Sequence, residues 1–188
     1  MRVAVISPHL DDAVFSVAEN MLSRPDWHFT IITPFAAAPE GNEKYATLRA
    51  EHAAVCAAGG WTEVNGPFFD DGFDIPPDVK SLQLWLALAI GPSVDEVWAP
   101  VGIHHPDHRT ARLALAEVGG GTSQMWLYEE LPYRVLYPAE FGLRARQLVG
   151  YDPSMLERKK ELCRMYASQI GPDIERCLYV PERLWGLW

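Results

Sequence analysis

Short apolar runs alternate with longer amphipathic stretches through the first two-thirds of the chain. Arg2-Val3-Ala4-Val5-Ile6-Ser7 is apolar on both faces and β-branched, the pattern of a strand buried in a parallel sheet. His28 to Thr33, Trp61 to Val64, Glu96 to Val101 and Gln124 to Leu131 repeat it. Between them the spacing turns helical. Ala13, Val14, Val17, Ala18 and Leu22 share one face of a helix that starts at Asp11-Asp12. A second helix runs from about Tyr45 to Ala58 and stops at Gly59-Gly60. Val79 to Ile90 is a third, ended by Gly91-Pro92. A fourth, from Pro106 or Asp107 to Val118, has its proline in the first turn, where no N–H is missed. Ala36 to Asn42 reads as a rim loop. The pattern loosens after Leu131, then predicts a helix from about Pro153 to Ser168 and a terminal edge strand from Tyr179 to Trp185. Pro181 confines that strand to an edge or a bulge. Strand-helix alternation of this kind predicts an α/β protein, a three-layer α/β/α sandwich with a mostly parallel, Rossmann-like sheet. At 188 residues, without repeats or a linker-like tract, residues 1–188 read as one domain.

Two polar clusters interrupt this pattern where strands end. His9, Asp11 and Asp12 follow the first strand; His104-His105-Pro106-Asp107-His108 follows the strand ending at Val101. Ligands of open parallel sheets bind beyond the carboxyl ends of the strands, so the clusters are expected to meet and share one metal ion. His9 and Asp12 converge across a strand-to-helix turn, and His108 supplies a third ligand. Two imidazoles and one carboxylate with open positions suit catalytic Zn²⁺, and equally Fe²⁺. Zinc lowers the pKa of a water it holds to about 7. Asp11 is the candidate general base, and His105 the candidate for stabilising an oxyanion or protonating a leaving nitrogen. Asp107 is placed to orient an imidazole. A His-Asp pair at a helix start can simply be a cap, but a cap leaves the second cluster without a role. A phosphoacceptor domain with an Mg²⁺-binding acidic pair leaves both His9 and the HxxH unexplained.

Charge and cysteine content narrow the class. The formal charge of −9 is spread along the chain, which excludes the basic face needed for nucleic acid. No apolar run approaches the ~20 residues of a membrane span, and the N-terminus lacks the h-region of a signal peptide. Three scattered cysteines without a CxxC pair fit a reduced, cytoplasmic setting and packing roles. His52, on the second helix, reads as structural. Nothing in the sequence sets the oligomeric state.

Ser7-Pro8-His9-Leu10-Asp11-Asp12 together with His105-Pro106-Asp107-His108 resembles the PIG-L/LmbE-like family of metal-dependent N-acetylglucosamine deacetylases. Arg49, the Tyr128-to-Tyr133 segment and Lys160 to Gln169 extend the resemblance over most of the chain. It implies zinc on His9, Asp12 and His108, with Asp11 as base and His105 as partner of the tetrahedral intermediate. The implied substrate is a small-molecule N-acyl amine, a sugar or glycoside, held by Arg49 and by Asp70 or Asp71; of the adjacent Glu129 and Glu130, solvent-facing or pocket-lining, Glu129 is the substrate candidate. Two positions depart from the family motif: Leu10 replaces a proline and Ala13 a glutamate. The chain is also short for the family, which suggests trimmed loops and a large or exposed substrate, such as an antibiotic intermediate. A catalytically altered member that only binds a ligand is the alternative, with Ala13 as its sequence support.

Overall fold

The computed structural model describes residues 1–73, 75, 77–118, 124–137, 146–147, 154–177 and 180–186. Its strands form one seven-stranded sheet in the order β3-β2-β1-β4-β5-β7-β6. β1 (Arg2–Ile6) lies at its centre, parallel to β2 (His28–Thr33) on one side and to β4 (Glu96–Pro100) on the other. β3 (Thr62–Asn65) extends the sheet beyond β2, and β5 (Gln124–Tyr128) extends it beyond β4, both parallel. β7 (Leu184–Gly186) and the two-residue β6 (Arg146–Gln147) complete it antiparallel.

The pleat of β1 divides the core. Val3 and Val5 face one apolar cluster, Ala4 and Ile6 the other, and all four are essentially inaccessible. The first cluster takes α1 (Asp12–Leu22), α2 (Glu43–Gly59) and α6 (Met155–Arg164); the second takes α3 (Val79–Ile90) and α4 (Pro106–Val118). The expected three layers are therefore present. Local signals set the ends of the helices. Asn42 caps α2 by accepting the Tyr45 N–H at 3.0 Å, and Gly60 ends it in the left-handed region (φ 73°). Asp78 caps α3 through Ser81 N–H at 3.0 Å.

Three expectations change at the C-terminal end. The terminal strand is not at an edge: β7 begins after Pro181 and sits between β5 and β6, so its N–H groups are needed only beyond the proline. The last long helix is shorter than its pattern, Met155–Arg164, with Ser154 as its N-cap and the predicted Pro153 outside the described residues. Two short helices, α5 (Tyr133–Leu136) and α7 (Pro172–Cys177), occupy stretches with no helical periodicity long enough to detect.

β1 has its two parallel partners on opposite sides, so the chain order reverses there. The carboxyl ends of β1 and β4 open a crevice at this switch point, and both polar clusters sit over it. The buried Tyr128 hydroxyl, reaching across from β5, fixes the end of β1 by donating to the Ile6 carbonyl at 2.7 Å.

Candidate metal centre

His9 stands on the turn after β1, Asp12 opens α1, and His108 lies in the first turn of α4. Ser7 frees the two aspartates from helix capping. Its hydroxyl accepts the Ala13 N–H at 2.9 Å, while Asp11, formally the N-cap residue, makes no capping bond with its side chain. Asp12 Oδ2 can then lie 3.2 Å from His9 Nδ1 and 3.0 Å from His108 Nε2, with the two nitrogens 3.4 Å apart. Three tetrahedral ligands at about 2.0–2.2 Å from one zinc ion stand roughly 3.4 Å from one another. The donor set fits such an ion.

Each imidazole is turned by a carboxylate on its other nitrogen. His9 Nε2 faces Asp107 Oδ2 at 2.9 Å, and His108 Nδ1 faces Glu130 Oε1 at 3.2 Å. Both protons are thereby placed away from the centre, and both lone pairs point into it, the arrangement found behind metal-bound histidines. Glu130 is itself held by the N–H groups of Gly102 (2.6 Å) and Ile103 (3.0 Å). Gly102 is at φ 94°, and a Cβ there would meet the Arg109 backbone at 3.3 Å. Glu130→Gln is expected to weaken zinc binding 10- to 100-fold with the fold retained, as read by competition with a chelating dye. An unchanged affinity would remove Glu130 from the site.

Burial and neighbouring charge act in opposite directions on these groups. Burial disfavours charge on His9, yet its bonds to Asp107 and Asp12 hold it well above the ordinary histidine value. His108 is likewise opposed by burial but lifted by Asp12 and Glu130 to about 9. Asp12 would be raised by burial, but His108 and His9 hold it far below the carboxylate range. Asp11, buried beside the Asp12 charge, is pushed up to about 7. These directions describe the metal-free site, where protons on the imidazoles balance Asp12. A divalent ion displaces those protons.

His105 lies beside the centre, its ring 4.7 Å from that of His9 and edge-on to it. It is close enough to His9 and His108 to be grouped with them as a donor. However, its Nδ1 accepts the Asp107 N–H at 3.3 Å, and its Nε2 faces Asp71 Oδ1 at 3.5 Å. Burial and the positive charge of His9 and His108 lower its pKa, so it is a neutral imidazole carrying its proton on Nε2. His104, its neighbour in the cluster, is exposed, adopts φ 62° and stacks on Tyr137 with ring centroids 3.5 Å apart.

A pocket of about 330 Å³ opens over the centre. Asp70 and Asp71 line it, as the sequence suggested. The Tyr45 hydroxyl donates to Asp70 at 2.7 Å, and the Asp71 N–H donates to Asp107 at 3.0 Å, tying the single turn 71–73 to the carboxylate that faces His9. Two expected substrate residues are not brought there. Arg49 is exposed, donates to the Ala36 carbonyl at 2.9 Å and borders a separate groove of about 310 Å³ behind Tyr45. Glu129 turns away to accept the Trp185 indole N–H at 2.9 Å and to face Arg183 and Arg134. Glu130, its neighbour, is the glutamate that reaches the centre. Tyr133 and Gln169, from the two later segments that extend the resemblance, also line the pocket, as does Lys44, which nothing in the sequence pattern marks. Ala13 packs in the apolar cluster and does not line the pocket, so a glutamate missing there leaves no gap in the pocket wall.

No protein-family model matches the chain, and no curated protein matches it by sequence. Solved structures do share its fold. The zinc-inhibited form of the teicoplanin deacetylase Orf2 superposes with a TM-score of 0.82 at 19% identity, covering 99% of this chain and 97% of that one. Dbv21, the A40926 pseudoaglycone deacetylase, gives 0.75 at 23% identity over 98% and 96%. The fold is not confined to deacetylases. GalB, a 4-carboxy-2-hydroxymuconate hydratase from Pseudomonas putida, gives 0.66 at 14% identity over 100% and 96%. The chain is therefore not trimmed relative to these proteins.

Proposed function

We propose that the protein is a metal-dependent N-deacylase of the PIG-L/LmbE-like family, acting on an N-acyl amino sugar within a larger glycoside. The observation that carries this reading is the triangle of His9 Nδ1, Asp12 Oδ2 and His108 Nε2, each imidazole aimed into it by a buried carboxylate. A zinc or ferrous ion bound there would polarise the acyl carbonyl and acidify the attacking water. Asp11 accepts the proton as water oxygen bonds to the acyl carbon, then delivers it to the amine nitrogen as the C–N bond breaks. His105 donates its Nε2 hydrogen to the oxygen on which charge develops. A carboxylic acid and a free amine result.

The pocket supports the substrate class. Beyond the His9 centre, Asp11, Asp70 and Asp71 line it against one lysine, Lys44, among the described residues. That balance favours a neutral or amine-bearing ligand and disfavours the polycarboxylate that a hydratase of this fold takes. The groove bordered by Arg49 shares Tyr45 with the pocket, giving the remainder of a large glycoside a place to lie. Three buried cysteines outside any disulfide support a reduced, cytoplasmic setting.

The test loads metal-free protein with one equivalent of Zn²⁺ or Fe²⁺. It then measures amine release from N-acetylglucosamine, N-acylglucosaminyl glycopeptides and acetylated small amines. Turnover is expected on the glycosides, abolished by chelation and restored by metal. A protein with metal bound at the His9 centre that hydrolyses no amide in the panel would overturn the reading in favour of a ligand-binding protein.

A further inference from the structure

We propose that His52, Cys56 and Glu63 form a second divalent-metal site, for a thiophilic ion of the zinc class, behind the loop that carries His9 and Asp11. α2 sets His52 and Cys56 one turn apart on its buried face, and β3, which follows through Gly60, brings Glu63 alongside. Cys56 Sγ lies 3.5 Å from His52 Nε2, and Glu63 Oε2 lies 3.5 Å from the same nitrogen. All three donor atoms fall within 4.8 Å of one another. With Zn–S about 2.3 Å and Zn–N about 2.0–2.1 Å, a tetrahedral ion separates sulfur from nitrogen by about 3.5 Å.

Hydrogen bonding fixes the tautomer that such a site needs. The Tyr166 hydroxyl has one proton, and the Leu10 carbonyl, a pure acceptor at 2.8 Å, takes it. The 2.8 Å contact between Tyr166 Oη and His52 Nδ1 is therefore donated by the imidazole. The lone pair is left on Nε2, directed at the thiol and the carboxylate. A thiolate and a carboxylate together neutralise a divalent ion, which makes the filled site an uncharged unit in a buried setting. Glu63 is 32% exposed at its side chain, so an ion and a completing water have a way in. Without metal, burial lowers the His52 pKa and pushes the Cys56 thiol up to about 12, and a thiol-to-imidazole hydrogen bond joins Cys56 to His52. Metal displaces the thiol proton. Tyr166 connects the site to the peptide between His9 and Asp11, so filling it stiffens that loop.

Cobalt separates this site from the first, whose ligands include no sulfur. Metal-free, reduced, full-length protein is titrated with Co²⁺ and its near-ultraviolet absorption is followed. A thiolate-to-cobalt charge-transfer band saturating at one equivalent per chain is expected, in addition to visible bands from the His9 centre. His108→Ala should keep the near-ultraviolet band, and Cys56→Ser should lose it while still binding the other ion. Glu63→Gln, at a half-exposed position, should raise the cobalt concentration needed for the band at least tenfold. Wild-type protein that shows no thiolate band at excess cobalt would overturn the proposal and leave a hydrogen-bonded Cys–His pair. A band that survives Cys56→Ser would overturn it by assigning the thiolate to Cys163 or Cys177. Neither outcome depends on whether the protein deacylates anything.

Discussion

Replacing Asp11 by asparagine is expected to lower kcat by about 10²–10⁴-fold while the metal stays bound. Asparagine keeps the shape of the side chain but cannot take a proton from water. The substitution is clean because Asp11 makes no capping bond to α1, that task falling to Ser7. The ligand triangle of His9, Asp12 and His108 is untouched. Burial and the Asp12 charge push Asp11 up to about 7 in the metal-free site, and a bound cation draws it down from there. Wild-type kcat/KM should therefore fall on the acid side at or below about pH 7, and the residual activity of Asp11→Asn should lack that limb. Metal content measured alongside the pH profile checks both halves. Turnover within tenfold of wild type would remove Asp11 from the mechanism.

Much of the centre could be read from the chain because its geometry is local. His9 and Asp12 are three residues apart across a strand-to-helix turn, and Asp107 and His108 are adjacent in the first turn of α4, so short-range spacing nearly determines where they point. Parallel pairing of β1 with β4 then joins the two halves. Glu130 was not legible in the same way. Two adjacent glutamates at the end of β5 point to opposite sides, and only the register of β5 on β4 decides which meets His108. The placement of Arg49 was not legible for a related reason: helix spacing puts it on α2, but its bond to the Ala36 carbonyl sets its guanidinium at the neighbouring groove and not in the pocket. The position of β7 depends on a long-range antiparallel pairing with β6 that no local pattern records.

The charges on α6 are where amphipathic reading misleads most, and they carry the largest stability effect. Lys159→Met is expected to destabilise the fold by about 3–5 kcal/mol. A lysine within a helical repeat reads as solvated, yet Lys159 is fully buried, with Nζ 2.9 Å from Glu182 and 3.6 Å from Glu19. Glu182 accepts the backbone N–H groups of Glu19 and Asn20, each at 2.9 Å, and the Asn20 amide at 2.8 Å. Removing the lysine strands the two carboxylates without the ammonium that lies between them. Glu19 gives the effect its pH dependence. Burial, reinforced by Glu182, raises it to about 7. A carboxyl raised in the folded state contributes stability that is fully present below the ordinary carboxylate range and is lost as pH rises through about 7. Without Lys159 that loss deepens, so urea unfolding should show a larger deficit at pH 8 than at pH 5. Adding Glu19→Gln to Lys159→Met should recover part of it, chiefly at the higher pH, because one of the stranded charges is gone. A single variant within 1 kcal/mol of wild type at both pH values would mean that the lysine contributes packing and not charge to the α1–α6 interface.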